Sequence, residues 1–349
     1  MSNDIIIRKQ GRAGRITLNR PRALNAVTYE MCLEIERALD SWRDDEEVAL
    51  VVIDAVGEKA FSAGGDIAEM YRTASKGDYG YGRRFWADEY RMNAKIANYP
   101  KPYVAFMQGF TMGGGVGVSC HGSHRIVGEN SQIAMPECGI GLVPDVGGSL
   151  LLARAPGRLG EYLGTTGTRM GPGDAILAGF ADHFVPRADW PALIGALEES
   201  GAPALIESAA RPAPEGPLAA LQPQVDAHFA GATIHDILFS LRHGEDEFAG
   251  RTLDTLARQS PLSVACTVEL VHRSRIADTI EAALVQEYRF TYRSAEAGDF
   301  VEGIRAAIID KDRKPKWRHT SLDAVTEGEV ERMLAPLGAD ELNLQEEER

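Results

Sequence analysis

Apolar residues recur along this chain with two alternating periods. Ile5 to Arg8 and Arg15 to Leu18 read as short strands around the turn Gly11-Arg12-Ala13-Gly14, and Val48 to Ile53 is a continuous apolar run of strand length. Between them Met31, Ile35, Leu39 and Trp42 repeat every three or four residues behind Thr28, a residue type that caps helices. Strand, helix, strand is the opening unit. A second unit has a Gly-rich turn at Gly64-Gly65-Asp66 and a helical pattern through Trp86, Tyr90 and Ala94. A break at Pro100 and Pro102, a strand from Tyr103 to Met107, another Gly-rich turn and a short helix from about Gly115 complete it.

Strands at Arg125 to Val127 and Gln132 to Ala134 continue the alternation, so the first half predicts an α/β fold with a largely parallel, buried sheet. Past Val185 the pattern changes to Pro- and Ala-rich sequence and then to helical segments: Ile234 to Leu241, Phe248 to Leu256, Leu262 to Val271, Ile280 to Phe290 and Val301 to Ile309. Leu205, Ile206, Leu218 and Leu221 predict short packed helices within the Pro-rich stretch. The expected organisation is a β/α core over residues 1–188, a helical region over 189–335 and an acidic tail over 336–349.

The 349 residues, 44% of them apolar, exclude disorder as a description of the whole chain. The net charge is −14, and residues 321–349, with 2 basic and 9 acidic side chains, carry half of it. The mildly acidic remainder argues against nucleic acid as a partner, since such surfaces cluster Lys and Arg on one face. No stretch approaches the roughly 18 to 20 apolar residues of a membrane span, so no membrane partner is expected. Met1-Ser2-Asn3-Asp4 begins no recognisable leader, which makes the cytoplasm the expected location. Cys32, Cys120, Cys138 and Cys266 form no C-x-x-C pair and are expected to be reduced and buried; no metal site is predicted.

The phosphate-binding G-x-x-x-x-G-K-[ST], the dinucleotide G-x-G-x-x-G and the hydrolase elbow G-x-S-x-G are all missing. His121 and His124 lack zinc-site spacing, and Ser119 and Ser149 have no paired base in sequence. What remains is glycine. Ala63-Gly64-Gly65-Asp66 and Met112-Gly113-Gly114-Gly115-Val116-Gly117 each lie between a predicted strand and a predicted helix. Either cluster alone is read most simply as a tight turn. Two of them on neighbouring β-α units would put two unpaired N–H donors at one end of a parallel sheet, which is what a backbone oxyanion hole requires.

A third segment, Met135-Pro136-Glu137 through Pro144-Asp145-Val146-Gly147-Gly148, sets two carboxylates in apolar, Gly- and Pro-rich sequence without a basic residue. Such a carboxylate is either a helix cap or a desolvated acid-base or nucleophilic group. Composition favours function for Glu137 and leaves Asp145 open.

With these residues in view, the chain resembles the crotonase (enoyl-CoA hydratase/isomerase) superfamily. The resemblance rests on Leu24-Asn25-Ala26, Phe61-Ser62-Ala63-Gly64-Gly65-Asp66-Ile67 and Gly113 to Gly115. Asp88-Glu89-Tyr90, Thr111 to Gly117, the Met135 to Gly148 segment, Asp299 to Ala306, Asp310-Lys311-Asp312 and Pro315-Lys316-Trp317 are similar to a subfamily that hydrolyses small 3-hydroxyacyl-CoA thioesters, with 3-hydroxyisobutyryl-CoA of valine breakdown as its substrate. It implies a ββα-spiral core with a helical C-terminal region and an acyl-CoA thioester as partner. CoA belongs to that substrate, and no separate cofactor is implied.

The resemblance assigns oxyanion N–H groups to Gly65 and Gly114 and places CoA near Ala63, Gly65, Asp66 and Ile67. It further implies that Glu137 attacks the thioester or activates water, that Asp145 assists and that Glu89 binds the substrate hydroxyl. Hydratases of the superfamily carry a second glutamate where this chain has Gly117, a departure that argues against hydration. Enoyl-CoA hydratase or isomerase activity and non-catalytic acyl-CoA binding are the alternatives. For assembly the resemblance implies trimer-based homo-oligomers.

Overall fold

In the computed structural model, which describes residues 3–344, nine short strands and sixteen helices alternate. The chain opens with β1 (Ile5–Gln10), β2 (Ala13–Leu18), α1 (Tyr29–Arg43), β3 (Leu50–Ala55), β4 (Ala60–Ser62), α2 (Ala68–Ala74) and α3 (Gly80–Ala97). It continues through β5 (Tyr103–Met107), β6 (Phe110–Met112), α4 (Gly114–Gly117), β7 (His124–Val127), β8 (Gln132–Ala134), α5 (Gly148–Arg154), α6 (Leu159–Thr166), α7 (Pro172–Leu177) and β9 (His183–Phe184). The rest is helical: α8 (Trp190–Ser200), α9 (Ala204–Ala209), α10 (Leu218–His228), α11 (Ile234–His243), α12 (Glu247–Leu256), α13 (Pro261–Ala277), α14 (Ile280–Ala297), α15 (Phe300–Ile304) and α16 (Glu327–Leu334).

These elements form two compact units. The first holds the chain up to Asp66, Arg91–Ala134 and Arg169–Ala219; the second holds Ile67–Tyr90, Met135–Thr168 and the chain from Ala220 onward. Of the expected acidic tail, residues 345–349 lie outside the described residues, whereas Leu342 is buried.

All nine strands belong to the first unit. A six-stranded sheet runs β1-β2-β3-β5-β7-β9, antiparallel only between β1 and β2, and a parallel three-stranded sheet runs β4-β6-β8. The chain visits the two sheets in turn, β3 then β4, β5 then β6, β7 then β8, which is the ββα spiral expected for the fold. Two sheets rather than one is a correction to the periodicity reading. β4 and β6 are only three residues long, too short to show a repeat of period two.

Hydrophobic burial explains why the large sheet forms where it does. Leu50, Val52, Val104, Phe106 and Ile126 pack with Trp190, Leu193 and Leu197 of α8 and with Ile206 of α9, all nearly inaccessible. Fully burying each such side chain is worth about 1.5–3 kcal/mol. The Pro-rich stretch is therefore ordered by packing, with Leu218 also buried. Thr28 caps α1 as expected, its hydroxyl accepting the Met31 N–H at 3.2 Å.

In the second unit α5, α6 and α13 pack closely, and glycine permits it. A Cβ at Gly164 would lie 2.8 Å from Leu152 and 3.0 Å from Thr267. Cys32, Cys120, Cys138 and Cys266 are all buried, and none is in a disulfide among the described residues. Among the described residues no helix is long and apolar enough to cross a membrane, and no cluster of His, Cys, Asp or Glu is arranged to hold a metal ion.

Candidate active site

Within the first unit, the Leu24-Asn25-Ala26 segment braces the loop that carries Gly65. Leu24 and Asn25 both adopt left-handed backbone conformations, with φ of 50° and 54°; asparagine tolerates this region better than most residues. The buried Asn25 amide donates to the carbonyls of Val56 at 3.0 Å and Ala60 at 2.9 Å, while its oxygen accepts the Arg20 N–H at 2.8 Å. The Ala63 N–H donates to Leu24 and the Asp66 N–H to Val27, at 3.0 and 2.8 Å. Between those two anchored residues, Gly64 turns at φ 119°.

The second glycine cluster leaves β6 at the same end of the small parallel sheet. Gly113 turns at φ 48° and Gly114 opens α4. The two loops touch: a Cβ at Gly115 would sit 2.5 Å from the Ser62 carbonyl oxygen, and one at Gly64 would sit 3.5 Å from that of Met112. Among the described residues neither the Gly65 N–H nor the Gly114 N–H meets an acceptor. Because α4 is a single turn, its dipole adds little, and the donors themselves are what the site offers.

Ser119 donates to the Gly115 carbonyl at 2.6 Å, so its hydroxyl serves the loop's packing. Asp66 is held by Arg20 in an ion pair of 3.0 Å. The Ala63 and Asp66 N–H groups are both engaged within this loop.

The second unit holds Glu89, Glu137, Asp145 and Ile67. Ile67 precedes α2 and accepts the Tyr71 N–H at 3.1 Å. Glu137 begins a short 3-10 turn, and Asp145 lies before α5 without capping it; the cap is Gly147. Glu89, Glu137 and Asp145 are each no more than 5% exposed. α3 turns Glu89 inward, and its neighbour Asp88 is buried as well.

Electrostatically the three carboxyls form one group. Burial raises all of them, and the nearby Asp145 charge pushes Glu89 and Glu137 higher still, well above the usual carboxylate range. Asp145 itself is pushed up to about 7 by burial, tempered by the Tyr90 hydroxyl, which donates to its Oδ2 at 2.6 Å. Among the described residues no arginine or lysine figures among the causes for any of the three. Glu89 Oε1 and Glu137 Oε2 are buried without a hydrogen-bond partner among the described residues. An unmet buried acceptor costs about 1–3 kcal/mol, more when charged, a cost that a bound ligand or water removes.

Sequence reasoning gave no role to Tyr90 or Glu287. Glu287 on α14 is wholly buried and accepts the Gly147 N–H at 2.7 Å and the Ser149 N–H at 2.9 Å. Its carboxyl is raised to about 8 by burial. One signal for it exists in the sequence: Ile280, Leu284, Glu287, Thr291 and Ser294 follow helical spacing, so a glutamate falls on the stripe that packs inward.

A family model described as enoyl-CoA hydratase/isomerase matches residues 13–334. Proteins named 3-hydroxyisobutyryl-CoA hydrolase, mitochondrial, from Xenopus laevis and Homo sapiens are 39% and 36% identical over 97% and 98% of this chain and 90% and 91% of their own. A solved structure described as an enoyl-CoA hydratase from Rhodobacter sphaeroides shares 57% identity at a TM-score of 0.93, covering 98% of this chain and 100% of its own. One described as a carnitinyl-CoA dehydratase from Mycobacterium thermoresistibile shares 41% at a TM-score of 0.94, covering 99% and 100%. Near-full-length matches of both kinds, on a ββα spiral with the glycine loops in place, identify the chain as a member of the enoyl-CoA hydratase/isomerase family, the crotonase superfamily.

Proposed function

We propose that this protein hydrolyses the thioester of a small 3-hydroxyacyl-CoA, with 3-hydroxyisobutyryl-CoA as its substrate. In this reading the N–H groups of Gly65 and Gly114 receive the thioester carbonyl oxygen as it becomes an oxyanion. Loss of one such donor costs about 10² to 10³ in turnover. Glu137 supplies its unpartnered oxygen as nucleophile or as the base that activates water, Asp145 assists, and Glu89 takes the substrate hydroxyl. The CoA thiolate leaves with little need for acid assistance.

One observation carries the choice of hydrolysis over hydration. α4 reads Gly-Gly-Val-Gly and is buried throughout, so the helix that bears a second glutamate in superfamily hydratases offers no carboxyl here, while Glu137 keeps its own. Addition of water across a double bond needs a paired acid and base; thioester cleavage needs one carboxylate and an oxyanion hole. The names of the curated relatives support the same reading.

Hydration is the second reading, and the descriptions of the two solved structures favour it. The Glu137→Gln variant tests the first. Thiol release should fall to background while CoA binding, followed by calorimetry, persists; turnover like that of the parent would remove Glu137 from the chemistry.

A further inference from the structure

The turn that carries Asp145 is held in an unfavourable shape from outside. Val146 has φ 55° and Gly147 φ 80°, two left-handed residues in succession, and the first is β-branched and almost fully buried. For such a side chain this region is a genuine outlier that persists only where the surroundings over-determine it. Glycine at the second position adopts it freely.

Glu287 supplies the surroundings. Its two carboxylate oxygens take the Gly147 and Ser149 N–H groups separately, Oε2 from the first and Oε1 from the second. The Ser149 hydroxyl also bonds to Oε1 and lies 2.9 Å from that of Ser274. On the other side of the turn, the Asp145 carbonyl accepts the Gly148 N–H at 2.7 Å, and the Asp145 carboxyl receives Tyr90. Thr291, one helical turn beyond Glu287 on α14, lies within 3.4 Å of the Tyr90 hydroxyl. One helix thus braces the Asp145 turn through Glu287 and reaches the Tyr90 hydroxyl through Thr291.

We infer that Glu287 is a positioning residue for Asp145, clamping the backbone of the Asp145-Val146-Gly147-Gly148 turn so that the Asp145 carboxyl stays on the Tyr90 hydroxyl. The inference rests on the thioester-hydrolase reading for the use made of Asp145. The clamp itself rests on the Glu287 hydrogen bonds and the left-handed backbone of the turn. A carboxyl suits the task because both of its oxygens can accept an N–H even when it carries a proton, which Oε1 can share with the Ser149 hydroxyl, whereas glutamine turns an NH2 donor toward one of the two N–H groups.

The test is Glu287→Gln, assayed with 3-hydroxyisobutyryl-CoA and by hydrogen exchange of the segment containing Gly147 and Ser149. We expect kcat to fall by about ten- to a hundred-fold with KM changed less than about two-fold, as for a misplaced catalytic group. The Gly147 and Ser149 amides should exchange faster. In a Val146→Gly background, where the turn no longer opposes its backbone preference, the same Glu287→Gln step should cost several-fold less, a coupling that a double-mutant cycle reads.

A variant that only lowers the melting temperature, with kcat, KM and amide exchange as in the parent, would overturn the inference. So would costs that multiply independently of Val146. Should Glu287→Gln not fold, Glu287→Asp, which keeps the carboxyl and shortens the reach, replaces it in the same assays. If the parent itself releases no thiol, the functional reading falls, and amide exchange alone decides the clamp.

Discussion

Glu137 and Asp145 are equally buried, and one hydrogen bond sets them apart. Asp145 receives the Tyr90 hydroxyl, which favours its charged form; Glu137 has an oxygen with no partner and faces the Asp145 charge as well. Its ionisation is opposed by burial first and by Asp145 second. A carboxylate that must be ionised to act therefore gains activity as pH rises, and kcat/KM should climb through neutral pH. Asp145→Asn removes the opposing charge, so Glu137 should ionise at lower pH and the acid limb of the profile should move down the pH scale. The residual activity of that variant, measured from about pH 5 to pH 9, reads the shift; a limb that stays in place or moves upward would separate the two carboxyls. Since the pair is coupled, the limb reports both together. Glu89 illustrates what sequence leaves hidden at this scale: its helix was legible, and only packing shows that α3 buries it.

Longer elements were legible in the chain because their periods repeat, and of the three-residue strands only β8 was. β5 lies where the apolar pattern puts it, and the Thr28 cap marks the start of α1. β4 and β6 exist because each pairs with a neighbour in the small sheet, information no three-residue window contains. The glycine clusters were legible for a physical reason: successive glycines between a strand and a helix imply close backbone approach. That approach is testable at Gly115, whose added Cβ would meet the Ser62 carbonyl oxygen at 2.5 Å. Gly115→Ala should destabilise the protein by about 1–3 kcal/mol, the usual range for overpacking, and should lower turnover by displacing the Gly65 and Gly114 loops. Thermal unfolding and thiol release check both parts, and a variant with unchanged stability would contradict the packing. Glu287 belongs to the opposite class. Its helix was predicted, but its partners are more than a hundred residues away in sequence, so its role emerges only from the tertiary structure.

For the whole molecule, the buried carboxyls set a pH dependence of stability with a definite sign. Glu89, Glu137, Asp145 and Glu287 hold their protons in the folded state to higher pH than when unfolded. Between the usual carboxylate range and the values of about 7 for Asp145 and about 8 for Glu287, the native state binds more protons than the unfolded one, so stability falls as pH rises. Glu161 works the other way: the ion pairs and hydrogen bonds from His272, Arg275 and Arg158 hold it down at about 2, and its contribution is lost as pH falls toward that value. The melting temperature should accordingly be higher at about pH 5 than at about pH 8, with a shallower decline in Asp145→Asn. A steady rise over that interval would contradict the assignment of neutral carboxyls. These protons matter because the proposed chemistry draws on the same groups. The experiment to make first follows free thiol from 3-hydroxyisobutyryl-CoA with a thiol reagent, beside the absorbance of crotonyl-CoA as a hydration control. Thiol release with unchanged enoyl absorbance is the expected result. Loss of enoyl absorbance without thiol would show that another carboxyl fills the role missing at Gly117, and the hydrolase reading would give way to hydration.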